Sequence, residues 1–508
     1  MKILSENKAI SYTAGVLLIA VILSGVLVSC SGNDAPPALS ETVAETKAIE
    51  AQDENLRKNA KDNLPELDFG GKEMRFLHRG SAPNLGDPDL RLEIDAEESG
   101  EVVNTALHDR KLSVENRLNI GIKILTADEG IDSGAAMNKL IRASVTAGSD
   151  DYDILLNHMS QATPLALEGL LYNLNLFNYL DFAQPWWSES FANAAQVYEQ
   201  LYFAAGDISL CKLQSTYVFY YNKDMYASFF SDSLYDTINS GSWTLDKLGE
   251  LCATVYSDLN GNGVADFDDL YGYVTQSVNY IDSLVGASNV ILSRRDSEGL
   301  PRLVYNKEEH TFDFLEKIIP LLHHGQLVWY DPNSSDVSVL VTKLKNETGL
   351  FASGRFASAD SYRDMESDFG IVPVPKFDEA QEKYTNWIHN AFSTVSVPVT
   401  CSDIDAAAAT IEAMCAEGYR SVVPAYYETA LKVKYSRDDE TSQMLDMISD
   451  SVVFDFAFIY SASLSNVMQQ FRELVKLNSG TAASTMESNY PKFEAKLETL
   501  LASFEAMK

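Results

Sequence analysis

Basic residues are scarce in this chain: 39 lysines and arginines stand against 73 aspartates and glutamates, a formal net charge of −34 at pH 7. A body this acidic repels phosphate backbones, so nucleic acid is not an expected partner, whereas neutral and cationic ligands are tolerated. Cysteine is scarce too, with five in 508 residues. Beyond Cys30, the remaining Cys211, Cys252, Cys401 and Cys415 form no CxxC and no Cys/His pair of zinc spacing. Disulfides outside a cell and buried free thiols both fit them. Of the seven histidines, His323 and His324 are adjacent rather than spaced as ligands. There is no GxSxG, HExxH or Walker A sequence, so the common hydrolase and nucleotide chemistries lack support. A pair of carboxylates facing each other as in a glycosidase stays open, because spacing in a cleft is not written in sequence. No long apolar run follows residue 28, and nothing beyond it is expected to cross a membrane.

What is present begins at the N-terminus. Lys2 and Lys8 precede an apolar run from Ala14 to Val28, which ends in Leu27-Val28-Ser29-Cys30 and then polar residues. A short basic region, a short apolar core and small residues at the cut form a signal peptide. Leu-Val-Ser-Cys resembles a bacterial lipobox, which makes 1–29 a lipoprotein signal peptide and Cys30 the lipidated residue. The plainer alternative is an uncleaved anchor helix with an incidental cysteine. Two acyl chains suffice for stable anchoring, so the body is expected on the extracellular face of a bacterial cell membrane. Residues 30–67 lack large apolar clusters and are read as a flexible tether.

From residue 68 the pattern alternates. A strand at Glu73–Leu77, a helix at Val103–Leu118, a strand at Ile120–Leu125, a helix at Gly134–Ala147 and a strand at Tyr152–Leu156 predict a parallel sheet faced by helices. Ligands of such sheets meet the carboxyl ends of the strands, where His78, Arg79, Asn157 and His158 fall. A second α/β region starts near Tyr217. Thr244 is placed to cap a helix with Leu245, Leu248, Leu251, Cys252 and Val255 on one face. The last hundred residues read as mostly helical. Asp258-Leu259-Asn260-Gly261-Asn262-Gly263-Val264-Ala265-Asp266-Phe267-Asp268-Asp269 matches a calcium loop. Its oxygen ligands would be Asp258, Asn260, Asn262, the Val264 carbonyl, Asp266 and Asp269. Asp269 stands where a longer Glu is usual, which weakens closure. A structural Ca2+ is the expected cofactor, and a solvated Asn/Gly turn is the alternative.

Several stretches together resemble the family 1 extracellular solute-binding proteins of bacterial ABC importers. They are Pro185-Trp186-Trp187, Gly206-Asp207-Ile208-Ser209, Tyr221-Asn222-Lys223, Ser242-Trp243-Thr244-Leu245, Phe351-Ala352-Ser353-Gly354-Arg355, Gly370–Pro375 and Tyr426-Tyr427-Glu428. The resemblance implies an α/β, two-lobed periplasmic-binding-protein-like fold with a hinge, an interlobe ligand cleft and a helical C-terminal region. The lobes are placed at 68–208 plus 350–400 and at 209–349 plus 401–508. It implies a monomeric, non-enzymatic receptor that hands a small solute, a carbohydrate by preference, to permease subunits. Besides the strand-end residues, Trp186 and Trp387 are candidates for stacking on sugar rings, and Asp207 and Arg363 for bonding hydroxyls. Core packing of the tryptophans, turn capping by Asp207 and a solvated loop position for the others are the alternatives. A surface glycan-degrading enzyme and a calcium-binding adhesin remain the competing functions.

Overall fold

The computed structural model describes residues 56–80, 93–97, 100–127, 133–435, 439–478 and 480–508. The expected signal segment, Cys30 and the tether as far as residue 55 lie outside them. The described strands are β1 (Lys72–His78), β2 (Ile120–Thr126), β3 (Ile154–His158), β4 (Tyr217–Asn222), β5 (Tyr271–Gln276), β6 (Ser293–Arg295), β7 (Pro301–Leu303), β8 (Val328–Asp331), β9 (Gly349–Arg355), β10 (Phe369–Val372) and β11 (Ser393–Ser396).

The first sheet has the order β11-β3-β1-β2, with β1, β2 and β3 parallel and β11 antiparallel to β3. Parallel neighbours need a long connection to bring the chain back. Here the helices α1 (Val102–Leu118) and α2 (Ser133–Ala147) supply it, and α3 (Met159–Leu167) follows β3 directly. Met74, Phe76 and Leu77 of β1 and Ile154, Leu155 and Leu156 of β3 are all buried, as befits strands covered on both faces. The strand-helix alternation expected for this stretch is the one observed.

The second sheet has the order β10-β4-β9-β5-β8. β5 runs parallel to β8 and β9, while β4 is antiparallel to β9 and β10. Every residue of β4 is buried. Against β5 lies α4 (Leu245–Val255), whose cap and face are those expected. The Thr244 hydroxyl accepts the Lys247 N–H at 3.1 Å, and Leu245, Leu248, Leu251, Cys252 and Val255 are buried. Gly272 permits this approach, since a Cβ there would run into Cys252.

The expected lobe boundaries differ from the observed pairing. The sequence places residues 350–400 in the first lobe, yet of the described strands in that range β9 and β10 hydrogen-bond within the second sheet and β11 joins the first. Residues 401–508 divide as well. Helix α6 (Ile404–Glu417) packs on α1, whereas α7 (Val467–Lys476) packs on α5 (Ser277–Ala287). The small buried Ala406–Ala409, Ala413 and Ala416 let α6 lie close in the first half. Strand partners, which no local pattern specifies, decide this division.

Three segments run side by side where the chain passes between the sheets. Ala204 bridges Val395, Thr216 bridges Ile388, and Asn386 bridges Val452. The carboxyl ends of β1 and β3 and the start of β4 meet these crossings.

Candidate binding site

The crossing segment around His389 draws both sheets together. The His389 N–H donates to the Ser215 carbonyl at 3.0 Å, and its Nδ1 accepts the Ala391 N–H at 3.3 Å. The Ala391 carbonyl accepts from the guanidinium of Arg79, just past β1. Ser393 pairs with His158 at the end of β3. On the other side, Tyr217 opens β4 opposite Arg355, the last residue of β9. The Tyr217 ring lies edge-on to His389 at 5.9 Å and to Tyr280 at 6.1 Å. Tyr280 hydrogen-bonds Arg355. Asp282, also on α5, pairs with Arg472 of α7 through Nε at 2.8 Å and through Nη2. Burial and then Arg355, His158, Arg472 and Arg79 hold the His389 imidazole well below its ordinary pKa. Burial and then Arg79 do the same to His158.

The strand-end candidates thus come together, but not all as ligands. His78 is a wedge, with Nδ1 against the Arg79 carbonyl at 2.8 Å and Nε2 against the Thr126 hydroxyl at 2.9 Å. Burial lowers its pKa. Asn157 faces inwards, donating to Asn138 at 2.7 Å and accepting the His158 N–H at 2.8 Å. His158 caps α3, its Nδ1 accepting the Ser160 N–H at 3.2 Å. With Nδ1 accepting, the ring proton of the neutral imidazole lies on Nε2, which is the donor. His158 keeps part of its surface accessible.

The other four candidates lie elsewhere. Trp186 is fully buried and donates to Glu412 at 2.9 Å, so it presents no ring face to a sugar. Trp387 stacks on Phe458 at 4.5 Å and is likewise buried. The Asp207 carboxylate pairs with Lys212 at 3.1 Å. Arg363 is a surface side chain, 69% exposed, paired with Asp360 three residues back. Sequence reading missed Tyr217, Arg355, His389 and the Asp282–Arg472 pair. A signal existed for Arg355: following the buried Gly349–Ala352 run to its end would have placed an arginine at a strand terminus.

Residues 119–421, more than half of the sequence, match the family described as bacterial extracellular solute-binding protein. The chain belongs to that family. Solved solute-binding proteins share its fold at low identity. The GacH receptor of Streptomyces glaucescens, studied unliganded and with acarbose, aligns at 12% identity, covering 84% of this chain and 99% of that one, TM-score 0.53. The galacto-N-biose/lacto-N-biose I-binding protein of Bifidobacterium longum aligns at 11%, covering 86% and 98%, TM-score 0.53. The maltose-maltodextrin binding protein of Alicyclobacillus acidocaldarius aligns at 10%, covering 84% and 100%, TM-score 0.51. No curated protein matches the chain by sequence. The family and these neighbours are solute-binding proteins, not enzymes. Among the described residues of this solute-binding protein, no helix is long and apolar enough to cross a membrane.

Its Asp/Asn-rich loop is bonded to itself. Asp258 accepts the N–H groups of Gly261 and Gly263 at 2.7 and 2.8 Å. Asp269 accepts those of Leu259 and Asp266, both at 3.1 Å. Asp266 accepts the carboxamides of Asn260 and Asn262. Among the described residues no three His, Cys, Asp or Glu side chains converge as metal ligands. The donors are all oxygens, the chemistry calcium takes, but a cation would require Asn260 and Asn262 to turn their carboxamide oxygens inwards.

Proposed function

We propose that this protein is a lipid-anchored receptor on the extracellular face of the cell membrane. It captures a small solute, a carbohydrate, and delivers it to the permease of an ABC importer. One observation carries the reading: Arg79 and His158 from the first sheet and Tyr217 and Arg355 from the second all converge on the crossing segment at His389. Groups contributed from both sides of a hinge are brought together or parted by its motion. A solute that binds them more tightly in the closed arrangement draws the lobes together. The family membership and the acarbose- and lacto-N-biose-binding neighbours support a sugar as that solute. The first lobe is built on the β1 sheet with α6, and the second on the β4 sheet with α7. The loop from Asp258 to Asp269 binds Ca2+ weakly, as a stiffener apart from the solute.

The test is stoichiometric binding without turnover. A cognate sugar should raise the melting temperature with its concentration and shrink the radius of gyration in X-ray scattering. A sugar hydrolysed during the assay would transfer the case to a glycan-degrading enzyme. For the anchor, Cys30→Ala should shift the protein from the membrane to the soluble fraction. Undiminished retention would refute lipidation.

A further inference from the structure

The acidity of the whole chain is reversed where the two sheets meet. With a net charge of −34, the average surface repels anions. Yet the side chains gathered at the crossings are Arg79, His158, His389, Arg355 and Arg472, drawn from five separate stretches of sequence. The groups with the strongest electrostatic influence on His389, namely Arg355, His158, Arg472 and Arg79, are all basic. The acids nearby are engaged: Asp282 with Arg472, and Glu93 with the hydroxyls of Ser209 and Ser393. In their midst stands the Tyr217 hydroxyl. It is wholly buried and makes no hydrogen bond, although Asp282, Arg472, Arg355 and Tyr280, in that order of influence, are close enough to act on it. A buried hydroxyl with no partner is costly and calls for an explanation. An anion oxygen would accept from this O–H while lying among guanidinium groups, which suit planar, charged acceptors.

We propose that the solute carries an anionic group, a carboxylate or a sulfate, which the Tyr217 hydroxyl and the arginines at the interlobe crossings recognise. The solute is thus an acidic sugar, a claim that rests on the carbohydrate-receptor reading. An acidic receptor with basic groups gathered at these crossings gains selectivity by this arrangement, because its average surface repels anions.

Titration calorimetry on the mature chain tests this with digalacturonate and lactose 3′-sulfate against neutral maltose and lactose. At least one acidic probe should bind tenfold or more tightly than either neutral sugar, and which one does so separates a carboxylate site from a sulfate site. Tyr217→Phe removes only the oxygen and preserves packing. It should weaken the acidic probe about tenfold, the scale of a hydrogen bond to a charged group. Thermal melting without ligand should be unchanged. Tight binding of neutral sugars alone, or wild-type affinity in Tyr217→Phe, would overturn the acidic-sugar assignment and leave the carbohydrate receptor standing. Failure of all four probes would count against the carbohydrate reading as well.

Discussion

Glu412 and Tyr217 are both buried polar side chains, 1% and 0% exposed, yet one is saturated with partners and the other has none. The two Glu412 oxygens accept the indole N–H groups of Trp186 and Trp187, each at 2.9 Å. The Asp181 N–H approaches at 3.4 Å. This cluster ties α6 to the Pro185-Trp186-Trp187 stretch and asks for nothing further. The Tyr217 hydroxyl sits at a chain crossing, surrounded by charge and without a hydrogen bond. The saturated cluster is structural, and the unsaturated one is where binding should be sought.

The largest expected effect breaks the first cluster. Glu412→Leu conserves bulk but strands two indole N–H groups, and should cost about 2–4 kcal/mol in chemical denaturation. A loss under 1 kcal/mol would show that the indoles find other acceptors. The same carboxyl should also carry a pH signature. Burial pushes its pKa up from 4.5 to about 7. With the folded value above the unfolded one, the native state binds the proton more tightly. The contribution is therefore complete below pH 4.5 and is lost as pH rises through about 7, on the order of 3 kcal/mol in all. Melting curves between pH 5 and 8 should show that decline in the wild type and a shallower one in Glu412→Gln. Parallel profiles would place the titration on another group.

Smaller effects sharpen the contrast. Millimolar calcium should stabilise the Asp258–Asp269 loop by roughly 0.4–1.4 kcal/mol if its affinity is that of extracellular modules. Asp258→Ala should abolish the response, and identical melting with and without calcium would leave a turn held by its own hydrogen bonds. The smallest expected change is the stability of Tyr217→Phe, within about 0.5 kcal/mol of wild type, since no hydrogen bond is lost. A loss above 1 kcal/mol would mean the hydroxyl has a partner in solution.

Local chemistry makes much of this fold legible in the residues alone. Alternating apolar residues at 73–77 and 120–125 with intervening amphipathic stretches announced a parallel sheet, and Thr244 announced the start of a helix. Such features depend on neighbours a few residues away, which sequence displays directly. The strand-end rule likewise brought Arg79 and His158 to the crossings. For the stacking candidates Trp186 and Trp387 the core-packing alternative is the one observed, because an indole that packs and one that stacks on a sugar look alike until burial is known.

The sequence by itself determined the family, the first sheet's order of elements and the overall negative charge, all of them sums or short-range patterns. Only the tertiary structure decided that β9 and β10 belong with β4, that α6 belongs with α1, and that basic groups from positions 79 to 472 gather within an acidic chain. Those outcomes rest on contacts between residues hundreds of positions apart. Local propensity cannot specify such contacts, because every strand offers the same backbone hydrogen bonds to any partner, and global packing selects among them.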